Sequence, residues 1–302
     1  MVSVTTVSGA PSGSRPSPAS SLAQGDPLVP RMLLGKRLRE LREARDLSRA
    51  EVSMRVGASP SKVTRLERGD SQARPEDVAE LLAAYGLHDE AERSTLLTIA
   101  EQTDARAWWY RYRDAVPPSM RRYLSAEEGA RLVRCFDDRY VPDLLQTEAY
   151  ARELLRNGHS AASERATSRH VDLLARRQRF LRRRPRPLNL WVVLDEAVLW
   201  RPVGNAATMR DQLIHLTQIC WRPNVTVQIA PYKIRDSVPA ARPLTLVRFP
   251  QVGLPDLVHL DGTYPSRQAE IERHWHMFNT LVTEAAPPEQ TPKIIERILA
   301  DR

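Results

Sequence analysis

Between positions 33 and 102, helix starts and helix stops follow one another so closely that only short helices can form. Leu34, Leu38 and Leu41 recur at helical spacing, which predicts an amphipathic helix over 33–45. Ser48-Arg49-Ala50-Glu51 is a capping box: the Ser48 hydroxyl accepts a backbone N–H three residues on, and Glu51 reaches back. Gly57 stops the second helix. Ser59 caps a third, with Pro60 at its first position, where a missing N–H costs nothing, and Gly69 ends it. Pro75 opens a fourth helix through Tyr85, closed by Gly86. Asp89-Glu90-Ala91-Glu92 caps a fifth, running to about Gln102. Five short helices in this span predict a compact all-α domain over 31–104.

Charge divides sharply inside that domain. Residues 31–70 hold eleven Lys/Arg against six Asp/Glu, a net of +5; residues 71–104 hold two against eight, a net of −6. The whole chain of 302 residues carries 45 basic against 37 acidic side chains. A basic excess of 8 points to an acidic partner, nucleic acid ahead of a membrane surface. No run approaches the roughly 18 apolar residues of a membrane helix, and 188–200 is broken by Asn189, Asp195 and Glu196. The first residues lack a charged start ahead of an apolar core, so a cytoplasmic protein without a signal peptide is expected. Two cysteines, Cys135 and Cys220, exclude a disulfide framework or a four-cysteine zinc site. They read as small hydrophobes in helical contexts.

The second helix (about 49–56), the turn Gly57-Ala58-Ser59 and the third helix (60–67) have helix-turn-helix dimensions. Here the sequence resembles the Cro/CI-type repressor family. The pieces are Leu47-Ser48-Arg49-Ala50-Glu51-Val52, Gly57-Ala58-Ser59-Pro60-Ser61 and Val63-Thr64-Arg65-Leu66-Glu67-Arg68-Gly69. The resemblance implies a lambda-repressor-like five-helix domain whose third helix enters the major groove. Val63 and Leu66 then face the core with Val52, Val56 and Leu38. Pro60, Ser61, Lys62 and Arg65 face DNA, with Ser59 at the cap. Arg65 has the fork for a guanine edge; Ser61 can reach a base or a phosphate; Lys62 and Arg68 suit phosphates. Where the family commonly holds a phosphate through glutamine, this chain has Arg49. Where the family has a small alanine, it has Ser53, whose hydroxyl should bond back to the preceding turn. Glu67 is expected to bond locally and hold the turn.

Residues 1–30 are Ser-, Pro- and Gly-rich and read as a disordered tail. Residues 105–302 read as an α+β domain with a small mixed or antiparallel sheet. The stretch 105–185 reads as helical, with Ser125-Ala126-Glu127-Glu128 as a further capping box. Strands are expected at 188–194, 225–229, 244–249 and 257–260, a helix at 205–220, and closing helices at 270–283 and 293–300. From Trp108 on, the chain resembles the C-terminal domain of the actinobacterial WhiJ-like regulators. The resemblance is carried by Tyr140-Val141-Pro142-Asp143-Leu144-Leu145-Gln146-Thr147-Glu148-Ala149-Tyr150, by Arg176-Arg177-Gln178, and by Leu194-Asp195-Glu196-Ala197. Pro142-Asp143 stands where the family often has Pro-Gly. The resemblance implies an antitoxin-like regulator that senses or docks something through this domain.

Trp108, Trp109 and Tyr110, beside Tyr112, Arg111 and Arg113, can line a ligand pocket, stack on a partner or fill an interdomain core. Arg176 and Arg177 open a run of seven arginines ending at Arg186, which can grip phosphates or an acidic partner or form a solvated helix end. His274 and His276 are two apart and make a poor metal pair. No His-Glu-x-x-His helix, phosphate-cradling glycine loop or Gly-x-Ser-x-Gly elbow is present. No cofactor, metal or catalytic residue is therefore expected. The expected protein is a homodimeric regulator of double-stranded operator DNA, controlled by a small acidic partner protein or a small-molecule effector. The alternative is an antitoxin-like interaction module.

Overall fold

The computed structural model describes residues 26–158, 163–234, 238 and 241–302. The expected tail lies outside the described residues as far as position 25. From Asp26 on, the chain belongs to the fold. Helix α1 spans Leu28–Glu43, beginning five residues before the expected start. Its first turn was hidden in the sequence because Leu28, Val29 and Met32 do not pack on the helical head. They are buried in the core of the second domain. The rest of α1 presents Leu34 and Leu38 to the head's own core, so one helix is shared by two hydrophobic cores.

The head continues with α2 (Arg49–Arg55), α3 (Pro60–Glu67), α4 (Pro75–Ala84) and α5 (Glu90–Gln102). Ser48, Ser59 and Asp89 cap as their sequences dictate, and the Ser48–Glu51 box is complete in both directions. Val52, Val63, Leu66, Val78, Leu82 and Tyr85 fill the core with Leu34 and Leu38. Gly35 lets α1 and α3 touch. A Cβ there would lie 2.4 Å from the Leu66 carbonyl oxygen and 2.8 Å from that of Glu67. Gly35→Ala should therefore destabilise the head by about 1–3 kcal/mol, because backbone overlap outweighs the roughly 1 kcal/mol gain in helix propensity. A thermal melt showing no loss would contradict this close approach.

The second domain is α+β and three-layered. Helix α6 (Pro118–Gly129) leads into β1 (Leu132–Asp137), followed by α7 (Glu148–Gly158), α8 (Glu164–Gln178) and β2 (Asn189–Asp195). Helices α9 (Glu196–Trp200) and α10 (Ala206–Ile219) precede β3 (Val225–Ala230). Strands β4 (Leu244–Arg248) and β5 (Leu257–His259) come next, then α11 (Gln268–Glu284) and α12 (Thr291–Ala300). Among the described residues the sheet is mixed, in the order β3-β2-β1-β4-β5. It is parallel across β3, β2 and β1, and antiparallel across β1, β4 and β5. One face packs on α6, α7, α8, α10, α12 and the start of α1; the other packs on α11 through Ile271, Trp275, Phe278 and Leu281.

The structure differs from the sequence expectation at β1 and at Ser125. The central strand β1 falls where helix was expected. Val133 and Cys135 face one core while Phe136 faces the other, so a strand buried on both faces loses the simple alternation that would betray it. Cys135 is thus a strand residue. Ser125 is not a cap but lies inside α6, which Pro118 starts seven residues earlier. Its hydroxyl donates to Asp26 Oδ2 at 2.8 Å and accepts the Trp109 indole N–H at 2.8 Å. Glu128 accepts the Asp26 N–H at 2.8 Å, and Asp26 Oδ1 accepts that of Leu28 at 3.0 Å. The Ser125/Glu128 pair, one turn apart, fastens the start of α1.

Candidate nucleic-acid interface

The geometry of α2, the turn and α3 follows from local chemistry. Gly57 sits at φ +59 with nothing near a would-be Cβ, so the turn needs glycine for its backbone angle rather than for space. Ser53 donates to the Arg49 carbonyl at 2.7 Å, the back-bond its sequence position implies. Buried Glu67, at the end of α3, ties three helices together. It accepts from Arg42 of α1 at 2.5 and 3.1 Å, and from Arg49 of α2 at 2.9 Å. A further Arg42 nitrogen donates to the Leu47 carbonyl at 2.8 Å. A buried carboxylate with two guanidiniums is satisfied, and α2 and α3 are held at a set angle.

Around this frame Ser59, Pro60, Ser61, Arg65 and Arg68 are exposed, while Val63 and Leu66 face inward. The Arg65 guanidinium makes no hydrogen bond or ion pair among the described residues, so its fork is free to meet a group outside the chain. The other cations are partly engaged. Lys62 bonds Asp77 at 2.7 Å, Arg68 meets Asp70 at 3.1 Å, and Arg49 serves Glu67. Asp70 also takes Arg122 of the second domain at 2.5 Å. Beside Lys62 and Arg65 lies a recess of about 330 Å3 whose wall includes Ser71, Gln72 and Arg74. These three were not singled out in the sequence; the signal was their place in the loop between Gly69 and Pro75. Asp77→Asn should free Lys62 and remove a negative charge from this surface. DNA affinity should rise severalfold for all sequences alike, because a charge that repels phosphate and competes for Lys62 is gone. Unchanged binding would mean that Lys62 does not reach DNA.

The remaining candidates are not brought together with this surface. The Trp108 and Trp109 indoles donate to the Leu124 carbonyl (3.1 Å) and to Ser125. Trp108 packs edge-on against Phe180 at 5.4 Å, with Arg176 over its ring at 5.3 Å. Tyr110, 43% exposed, lies between Arg106 and Arg113. Of the three aromatics, Tyr110 alone offers a broad face to solvent. The arginine run is divided. Arg177 is only 3% exposed and is held by Glu127 (2.8 and 2.9 Å) and Asp143. Arg183 donates to the Glu128, Ala130 and Arg186 carbonyls. Arg177 therefore cannot serve as a surface grip for phosphates, because its donors satisfy carboxylates that would otherwise lack a cation. Asp143, just after β1, supplies part of that carboxylate partner.

The compact helical head, with its capped and basic α3, has the build of a helix-turn-helix domain, and a mixed-sheet domain follows it. Residues 33–96 match a family described as a helix-turn-helix domain, which suggests a DNA-binding regulator. Residues 120–297, more than half the chain, match the family described as a domain of unknown function, DUF5753, and the chain belongs to that family. Neither a search of curated proteins nor one of solved structures returns a match. Among the described residues no helix is long and apolar enough to cross a membrane, and no group of side chains could hold a metal ion.

Proposed function

We propose that this chain is a sequence-specific transcription regulator that reads operator DNA through α3 and answers to an effector bound by its second domain. Arg65 carries the reading: an exposed guanidinium without a protein partner among the described residues, on a helix locked from behind by Val63, Leu66 and Glu67. Ser61 and Lys62 flank it, and Arg49, Arg68 and Arg74 hold the backbone on either side. The regulator acts as a homodimer on a pseudo-palindrome with half-sites about 34–36 Å apart. The coupling follows from α1, whose first turn belongs to the second domain and whose later turns belong to the head. An effector that shifts α6 or α1 changes how the two heads are spaced, and so shifts the population able to bind.

The test is fluorescence anisotropy on the gene's own upstream DNA against a scrambled duplex, across a salt series. Selective binding at nanomolar concentration with a steep salt slope supports the reading. Equal, weak binding to both duplexes overturns it and leaves the antitoxin-like role, binding of a small acidic protein, as the primary one.

A further inference from the structure

At the carboxyl end of β1 lies a cavity of about 430 Å3, and none of its lining residues belongs to the helical head. Its place follows from the topology. Two parallel crossovers carry the chain from β1 to β2 and on to β3, and β4 then returns on the other side of β1. The chain thus leaves the carboxyl end of β1 toward β2 and enters antiparallel β4 at the same edge on the other side, with Phe136 opposite Leu244, and the cavity lies at that edge. The antiparallel register brings more chemistry to the same edge, with Cys135 opposite Thr245 and Thr245 opposite His259. Val133, Leu144 and Leu190 supply apolar wall.

The charges on that wall do not cancel. Arg177 is taken by Glu127 and Asp143, and Arg139 is taken by Asp261 at 2.8 Å. Burial holds the His259 ring below its usual range, and its Nε2 accepts the Gly262 N–H at 3.0 Å. Asp137, by contrast, has no ion-pair partner among the described residues. Its Oδ1 accepts the backbone N–H groups of Arg139 (2.8 Å) and Tyr140 (3.1 Å), which fixes the carboxylate and leaves Oδ2 for a ligand. Burial pushes this carboxyl above the usual range, against those two backbone bonds and the Arg139 charge. A cation arriving there would relieve the cost.

We infer that the cavity binds a small organic cation, an amine on an apolar or aromatic body, with its ammonium on Asp137 and its body against Val133, Leu144 and Leu190. Ser119, Met120 and Tyr123 of α6 line the same cavity. One and two turns further on, α6 fastens the start of α1 through Ser125 and Glu128, and α1 touches α3 at Gly35. Only the consequence of binding rests on the regulator reading; the binding itself does not.

The test uses the full chain and three probes that share one body: tryptamine, tryptophol and indole-3-propionate, which are cationic, neutral and anionic. Affinities are read by ligand-detected NMR and thermal shift without DNA, on the natural chain and on Asp137→Asn. The asparagine keeps the Oδ1 acceptor, so folding is spared, and a far-UV spectrum checks this. Tryptamine should bind at least about tenfold tighter than tryptophol, and the variant should lose that margin. Equal affinity for the three probes on the natural chain overturns the proposal without reference to any variant. So does the absence of saturable tryptamine binding up to about 10 mM, or an undiminished margin in Asp137→Asn. Anisotropy on DNA is run separately. Amine binding without selective DNA binding sinks the regulator reading and leaves the site standing. Amine binding that leaves operator affinity unmoved sinks only the transmission through α6.

Discussion

Arg65→Ala is expected to lower operator affinity by about 1–3 kcal/mol and to relax selectivity at one base pair while leaving the neighbouring positions as strict as before. The fork of Arg65 is exposed and has no hydrogen-bond or ion-pair partner among the described residues, so nothing inside the protein has to be broken for it to reach a base. Removing it also leaves no buried group unsatisfied, and the melting temperature should stay put. The measurement is a competition series with single-base operator variants. A uniform loss across all of them would mean that Arg65 touches phosphate rather than a base. Lys62→Ala gives the contrast: a loss shared by all sequences and a salt slope flatter by about one. Its loss is moderated because Asp77 already claims part of the lysine.

Arg177→Met should strongly destabilise the second domain. Arg177 bridges Glu127 of α6 and Asp143 after β1, and Tyr123 donates to the same Glu127 at 2.6 Å. Removing one member of a buried ion group strands the others, at a cost of about 3–5 kcal/mol. The pH dependence carries the diagnosis. Burial alone would raise the Asp143 carboxyl, but Arg177 outweighs it and holds that carboxyl below its usual range. In the natural chain this contribution is full above the unfolded carboxylate value, about 3.9, and is lost as pH falls through the lower folded value. Without Arg177, burial faces only the weaker pull of His170 and His259, and the folded value should rise. The variant's deficit should then be largest near neutrality and narrow as pH falls toward about 4. Urea unfolding at several pH values measures this, and a deficit independent of pH would show that lost packing, not charge, is responsible.

The head was legible residue by residue because its instructions are local. Ser48, Ser59 and Asp89 each satisfy backbone donors within three positions, Pro60 and Pro75 sit at first helical turns, and Gly57 and Gly69 supply positive φ within the chain's own turn. The strands β2 to β5 were legible as apolar runs between breakers. β1 was not, since its two faces serve two cores and its six residues lie among helices. Ser125 misled for a related reason. A Ser-x-x-Glu pattern caps a helix when it meets free N–H groups, but it serves tertiary contact when Pro118 has already opened the helix.

Arg176 and Arg177 are adjacent in a run that reads as a solvated face. Yet Arg177 is enclosed, because α8 turns that side toward a glutamate 50 positions earlier. Sequence can count such charges but cannot pair them across that distance. The same limit hid the cavity: Asp137, Thr245 and His259 share an edge only once β4 has returned beside β1. Capping, turn angles and helical periodicity act within one or two turns of chain, so the amino-acid order alone was enough for the five-helix head. The ownership of the first turn of α1 by the second domain, the partners of the buried ions and the unbalanced charge of Asp137 depend on segments far apart in the chain, some by more than a hundred residues. Those features came into being only when the sheet and its helices closed together.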